Sequence, residues 1–496
     1  MQLRQLSVLI AFLCLLPAFA FAYKEEVASP KPGLATSIYK DLFIELSDKE
    51  LESRIMAVTN LLEPKFTAEV KGFLRVYLTS RPEWTEILLG RTAIYFPIFE
   101  RKIEDKGLPN DLKFVSIIES ALRTGARSRV GAQGLWQFMP GTAKMNQLVI
   151  DKNVDEREDP YRSTDAALEY LTELYDRYKD WALAIAAYNS GPGRVNQAIA
   201  IAGTRNFWKL RNYLPKETRN YVPAFLAAAY MMKYYSEYYL TPALPRLDFQ
   251  ITKPIRIYNE LSFHKIAELT GMSMEDIRFL NTSFRADRIP ENKTGYTLML
   301  PARVMHHLEF FLGNLDKKEI PKPEPVKMEP LDSSMLDQIY YDHVLYDAQP
   351  GEQLNDIAEL FSVDKYNIRF WNNMNSDEIG VNKPLLVHYI KNDNSISVAG
   401  KARKFSKRTK LHILKMKTSI KPIALNLSRG FTFYNKVALP ESPLINLDLS
   451  DHYRLRRGES IQDAIRKVPE LSLEEMRALP SGAKNATGVI IPLRKS

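Results

Sequence analysis

Residues 117–140 read IIESALRTGARSRVGAQGLWQFMP, and one carboxylate, Glu119, stands at the edge of an apolar run. On a 3.6-residue wheel starting at Asn110, Lys113, Ser116, Ser120 and Arg123 mark a polar arc, while Phe114, Val115, Ile118 and Leu122 mark the face expected to be buried. Glu119 falls at the apolar rim, between Leu112 and Val115. A carboxyl partly withdrawn from water is harder to ionise, which predicts a pKa raised to ~6 and a side chain able to give up a proton near neutrality. Glycosidic cleavage needs such an acid, since the departing oxygen takes a proton while the sugar ring becomes oxocarbenium-like. Taken alone, a glutamate in this position more often caps a helix or pairs with a cation, so both roles stay open on the residues themselves. The seven histidines show no metal-ligand spacing, and neither a metal nor any other cofactor is expected.

The elements that must hold Glu119 are helical. From Ser37 to about Arg101 apolar residues recur at three- and four-residue spacing, as in Phe73-Leu74-Val76-Tyr77 and Ile87-Leu88-Leu89. Leu108-Pro109-Asn110-Asp111 predicts a helix start with Asn110 as N-cap. Asp180-Trp181 predicts another, running through the alanine-rich 182–187 segment and stopping at Gly191-Pro192. An all-α domain over 91–240 follows, preceded by a helical region over 23–90. Beyond Pro242–Pro245 the composition changes, and a strand–helix–helix–strand order recurs three times, over 247–305, 337–392 and, more weakly, 449–496. A proline-rich linker at 318–336 and a connector at 393–448 separate these units.

The 496 residues, 45% of them apolar, suffice for several cores, and a disordered chain is excluded. Residues 1–22 read as a secretory signal: Arg4, an apolar run from Val8 to Leu16, then Pro17 and Ala20-Phe21-Ala22 as the cleavage site, with Tyr23 starting the mature chain. Its removal lowers the formal net charge of +9 by one and takes away Cys14, the only cysteine, so no disulfide is expected. Cys14 also lacks the small residues that precede a lipid-modified cysteine. No later run of roughly 20 apolar residues spans a bilayer. The expectation is a soluble exported protein of the periplasm, at most peripheral to the envelope membranes. Export makes nucleic acid an unsuitable partner for the positive charge. Residues 401–440 hold eleven Lys or Arg and no Asp or Glu, either as a solvated connector or as a patch for an anionic wall or membrane surface.

Three stretches carry a resemblance. Glu119-Ser120-Ala121 with Ala126-Arg127-Ser128 and Gly131 to Ala143, then Ala186 to Val195, then Glu217-Thr218-Arg219-Asn220-Tyr221-Val222-Pro223, resemble in order the motifs of the soluble-lytic-transglycosylase domain, over about residues 91–240. The trailing units are similar to LysM modules. The resemblance implies a multidomain protein: an all-α, lysozyme-like catalytic domain followed by small α+β (βααβ) LysM-like modules. It implies Glu119 as the sole catalytic acid and base, with neutral hydrogen-bonding groups at Ser128, Gln137, Tyr188, Asn189 and Tyr221 on the substrate, and no second carboxylate in the later motifs. By analogy Gln137 and Asn189 would hold the N-acetyl group or ring, and Tyr188 and Tyr221 would bond Glu119 or line the cleft. The implied reaction cleaves peptidoglycan strands between N-acetylmuramic acid and N-acetylglucosamine, the muramyl 6-hydroxyl attacking C1 to leave a 1,6-anhydro end without water.

Trp136 and Phe138 are expected in core or cleft wall rather than as sugar platforms, and Gly131 and Gly134 supply turn geometry. The LysM resemblance implies a groove for N-acetylglucosamine-type sugars near Pro350–Leu354 and Trp371-Asn372-Asn373, linked modules then raising the enzyme's local concentration on an insoluble polymer. Two competing readings remain from the residues: a goose-type muramidase hydrolysing the same bond, and a non-catalytic wall-binding scaffold.

Overall fold

The computed structural model describes residues 46–313, 336–348, 351–380, 384–391, 452–454 and 490–492. The expected signal, residues 318–335 of the linker, the basic stretch and most of the third unit lie outside the described residues. Two compact units divide the chain between Thr418 and Ser419.

In the first unit, α1 (Asp48–Met56) opens on a capping box in which Ser47 and Glu50 satisfy each other's backbone N–H. It is followed by α2 (Ala68–Arg75), a π turn and the long α3 (Pro82–Asp105). A 3₁₀ turn at Asn110–Lys113 runs into α4 (Phe114–Ser120). After a loop come α5 (Pro140–Met145), α6 (Pro160–Tyr178), α7 (Trp181–Ser190), α8 (Pro192–Ala202), α9 (Phe207–Leu210) and α10 (Lys216–Tyr234). Helix α7 starts where expected: Asp180 caps the Leu183 N–H, and Gly191 at φ 81° ends it. Helix α10 packs on α2, α4 and α7, so the N-terminal helices share its core.

Two expectations about the helix bearing Glu119 need correction. Asn110 is not its N-cap; Pro109 precedes the 3₁₀ turn and the α-helix begins at Phe114. Lys113, Ser116 and Ser120 do not face water either, since all three are buried. Lys113 pairs with Glu100, and the Ser116 and Ser120 hydroxyls bond backbone carbonyls of the preceding turn. Self-satisfied hydroxyls let a serine arc enter a core, which is why wheel polarity misread this helix.

After α11 (Leu247–Gln250), the first small module pairs β1 (Thr252–Ile257) antiparallel with β4 (Tyr296–Pro301). Between them lie β2 (Leu261–Ser262), α12 (Phe263–Thr270), α13 (Met274–Leu280) and β3 (Arg288–Ile289), and α14 (Met305–Leu312) follows. The second has α15 (Leu336–Tyr340), β5 (Tyr341–Tyr346), α16 (Leu354–Phe361), α17 (Lys365–Trp371) and β6 (Leu385–Ile390), with β5 and β6 antiparallel from Tyr341↔Ile390 to Tyr346↔Leu385. Both modules are clasped by one asparagine. Asn281 donates to the carbonyls of Ile277 and Met299 and accepts from Met299 N–H; Asn372 does the same with Ile368 and Leu386. In the second unit of the chain, β7 (His452–Arg454) pairs antiparallel with β8 (Ile490–Pro492).

The two modules of the first unit are seated on the helical body. Asp155 N–H bonds the Ser283 carbonyl at 2.9 Å, Arg285 N–H bonds that of Asn153 at 2.8 Å, and the Arg285 guanidinium pairs with Asp155. One continuous core runs from Leu51 to Leu308. In the second module Trp371 Nε1 donates to Gln250 at 3.0 Å, and Lys365 and Arg369 pair with Glu104 of α3. Trp371, 1% exposed, and Asn372, with its amide fully used, are therefore framework rather than groove walls.

Candidate active site

Glu119 lies one residue before the end of α4, where Ala121 and Leu122 both adopt left-handed conformations, at φ 51° and 58°. Two such non-glycine residues in succession are costly and persist only when surroundings fix them. The Arg91 guanidinium holds the Ala121 carbonyl at 3.1 Å, and the Ala121 and Leu122 side chains are buried. The chain thus turns sharply away, leaving the half-buried Glu119 side chain at the helix end.

Burial pushes the Glu119 carboxyl up to about 8; the Tyr221 hydroxyl, which donates to it, pulls the other way, and the Glu217 carboxylate adds a further rise. The direction expected from the sequence holds, and the rise goes beyond the ~6 expected there. Tyr221, on α10 and 1% exposed, and Tyr188, near the end of α7, are themselves held well above the usual phenol range, chiefly by burial and then by Glu119. Both stay protonated donors.

The loop from Ala126 to Phe138 forms the facing wall. Gly134, at φ 87°, sits so close to the next segment that a Cβ would come within 1.8 Å of the Arg157 carbonyl oxygen, so only glycine fits there. The Arg157 guanidinium bonds the Gly131 and Phe138 carbonyls at 2.9 and 3.1 Å and grips Asp155 through two further bonds. Burial would raise the Asp155 carboxyl, but those bonds outweigh it and hold the group below its ordinary value. Next to it Gln133 donates to Glu158 at 2.6 Å, and burial followed by the Asp155 charge lifts Glu158 to about 7. The Ser120 hydroxyl ties the loop to α4 through the Leu135 carbonyl, 2.8 Å away. Trp136, fully buried, donates to Thr164, and Phe138 is buried beside Tyr188, so both aromatics belong to the core.

The other anticipated residues fall as follows. Gln137, at φ 50°, turns its amide nitrogen onto the Ala126 and Gly134 carbonyls and keeps its oxygen for another donor. Tyr188 does not bond Glu119; its hydroxyl donates to the Trp136 carbonyl at 2.8 Å. Asn189 accepts from Thr218 at 2.8 Å and reaches Glu217 with its amide nitrogen at 3.5 Å. Ser128 accepts the Ala132 N–H at 2.9 Å, closing its own loop. Glu217 corrects the expectation that no second carboxylate stands in the later motifs: it opens the third quoted stretch, and its charge acts on Glu119. Thr218, which orients Asn189, was missed as well; both lie beside Tyr221 in the sequence, the one available signal. Among the described residues no group of three or more His, Cys, Asp or Glu could hold a metal ion. The arrangement offers one proton-bearing carboxyl and a phenol that stabilises it once ionised.

Comparison with known proteins gives two family matches: residues 96–211 match the Transglycosylase SLT domain, and residues 251–316 match the lytic transglycosylase MltD, LysM-like domain. The chain is 26% identical over 317 residues to membrane-bound lytic murein transglycosylase D of Escherichia coli strain K12, covering 63% of this chain and 67% of that relative. It is 32% identical over 149 residues to the soluble lytic murein transglycosylase of the same strain, covering 28% of this chain and 23% of that protein. The crystal structure of the 70 kDa soluble lytic transglycosylase from Escherichia coli aligns with 25% identity and a TM-score of 0.27 over 42% of this chain and 33% of that one.

Proposed function

From the premise that the chain belongs to the lytic transglycosylases carrying an SLT domain, we propose that Glu119 performs non-hydrolytic cleavage of peptidoglycan glycan strands. Its carboxyl gives a proton to the oxygen linking muramyl C1 to the next N-acetylglucosamine, which leaves as an alcohol. The muramyl 6-hydroxyl then attacks C1 and passes its proton to the Glu119 carboxylate, which regains its starting form. No water enters the balance. Intramolecular attack has a high effective concentration, so the site's task is to orient the ring and exclude solvent. Between the two steps Tyr221 stabilises the carboxylate. The free Gln137 oxygen suits the acetamido N–H of a sugar, and the weakly engaged Asn189 nitrogen suits its carbonyl. Ser128 and Tyr188 shape the wall.

The observation that carries this reading is the Glu119 carboxyl, kept protonated at neutral pH by its enclosure and given a hydrogen bond by a neutral phenol. Glu217 favours a second reading, a hydrolase in which that carboxylate activates water. Mass spectrometry of fragments from purified sacculi separates the two: anhydro ends are lighter by one water, and exclusively hydrated ends would sink the first reading.

The chain's export through residues 1–22, a periplasmic location peripheral to the envelope, sugar binding by the LysM-like modules and docking of residues 401–440 on anionic wall or membrane belong to the same proposal. No helix among the described residues is long and apolar enough to cross a membrane. The basic composition and the likeness to an envelope murein enzyme support them.

A further inference from the structure

Helix α7 has chemistry at both ends. Its C-terminal turn carries Tyr188 and Asn189 of the candidate active site; its N-terminal turn opens onto a cavity of about 350 Å³, walled by Trp181, Tyr175, Trp208, Glu63, Asn206 and Asp180 among others. Seven to eight residues at a rise of ~1.5 Å each set Trp181 ~10–12 Å along the helix from Tyr188 and Asn189, so the cavity opens at the far end of α7 from the candidate active site. Trp181 stacks on Tyr175 with centroids 4.3 Å apart and planes 19° from parallel, and both rings stay partly exposed. The Trp208 indole N–H is fixed to the Glu63 carbonyl at 2.9 Å, and Asn206 reaches the Glu63 carboxylate at 3.2 Å. Flat, immobilised aromatic faces beside carboxylates and an amide match a pyranose ring, whose C–H faces lie on aromatics while its hydroxyls and acetamido group take hydrogen bonds.

The geometry points to a second saccharide site here, taking an N-acetylhexosamine segment of a glycan strand outside the catalytic cleft. The sugar's identity rests on the peptidoglycan reading above. The site is formed jointly by the α1–α2 connection, through Asn60 to Glu63, and by the ends of α6, α7 and α9. It gives the enzyme a hold on the polymer that does not involve the bond being cut, so engagement of two sites on one insoluble strand lengthens residence.

The test uses the full mature chain. In a Glu119→Gln background, so that the polymer stays intact, co-sedimentation with purified sacculi is measured for Trp181→Ala and for Asn60→Trp, which obstructs the cavity from an exposed position and leaves the stacked pair alone. Both should weaken retention about two- to tenfold. With Glu119 restored, both should keep the parent's kcat/KM on a short soluble muropeptide tetrasaccharide. Unchanged retention in both variants overturns the site. An equal loss on the short substrate also overturns it, because the substitutions would then act through α7 on the cleft. Product mass from the parent protein judges the peptidoglycan reading separately, so either failure can be told from the other.

Discussion

On the proposed reading the carboxyl of Glu119 carries the chemistry, and its environment predicts a pH response. With a pKa of about 8 the acid form is complete below that value, so kcat/KM on glycan fragments should fall tenfold per pH unit above it. Replacing Tyr221 with Phe removes the bond favouring the ionised form; the alkaline limb should move to higher pH while kcat drops about 10- to 100-fold. Stability falls with rising pH as well, but over a lower range. The native state retains the Glu119 proton better than the unfolded chain, so stability is fully present below about 4.5 and declines as pH rises from there towards 8. Glu119→Gln should therefore abolish cleavage yet raise the unfolding free energy at pH 8 by an amount on the order of 1–3 kcal/mol, and leave it unchanged at pH 4. An unchanged difference across that range would show that the group is not buried as described. Glu119 was legible because its motif and its apolar rim agree. Glu217 was not legible, because its effect on Glu119 comes from α10 crossing near α4, a proximity no local spacing encodes.

Among the elements, the loop from Ala126 to Phe138 depends on a chain of braces reaching from α4 to the first small module. Gly134→Ala has no room at the Arg157 carbonyl and should cost about 2–4 kcal/mol, seen as a fall in denaturation midpoint with loss of activity. Arg285→Ala removes one of the two guanidinium groups on the buried Asp155, leaving Arg157 in place. Its expected effect is a several-fold loss in kcat with sacculus retention unaltered, and Arg285→Lys should restore part of it. Helix α7 was readable to the residue because Asp180 and Gly191 are strong local signals. The start of α4 was not: Asn110 looks like a cap, but Pro109 leads into a 3₁₀ turn, and the serine arc that seemed to face solvent satisfies its own hydroxyls indoors.

For the molecule as a whole, the strand–helix–helix–strand order of the modules was plain from alternating runs, while their seating was invisible, since Asp155–Ser283 and Trp371–Gln250 join residues more than a hundred positions apart. The first two modules are thus parts of one packed body with the helices. Removing everything after residue 246 would uncover Val154 and the Asp155 network, so such a truncation should melt several degrees lower, and the intact chain should show one shared calorimetric transition for the helical body and first module. The matched asparagines answer to the fold before any ligand: Asn281 and Asn372 spend every polar atom fastening their own modules, a duty that stands whether or not a carbohydrate is ever held. A copy can go blind to its ligand and still spell its signature correctly.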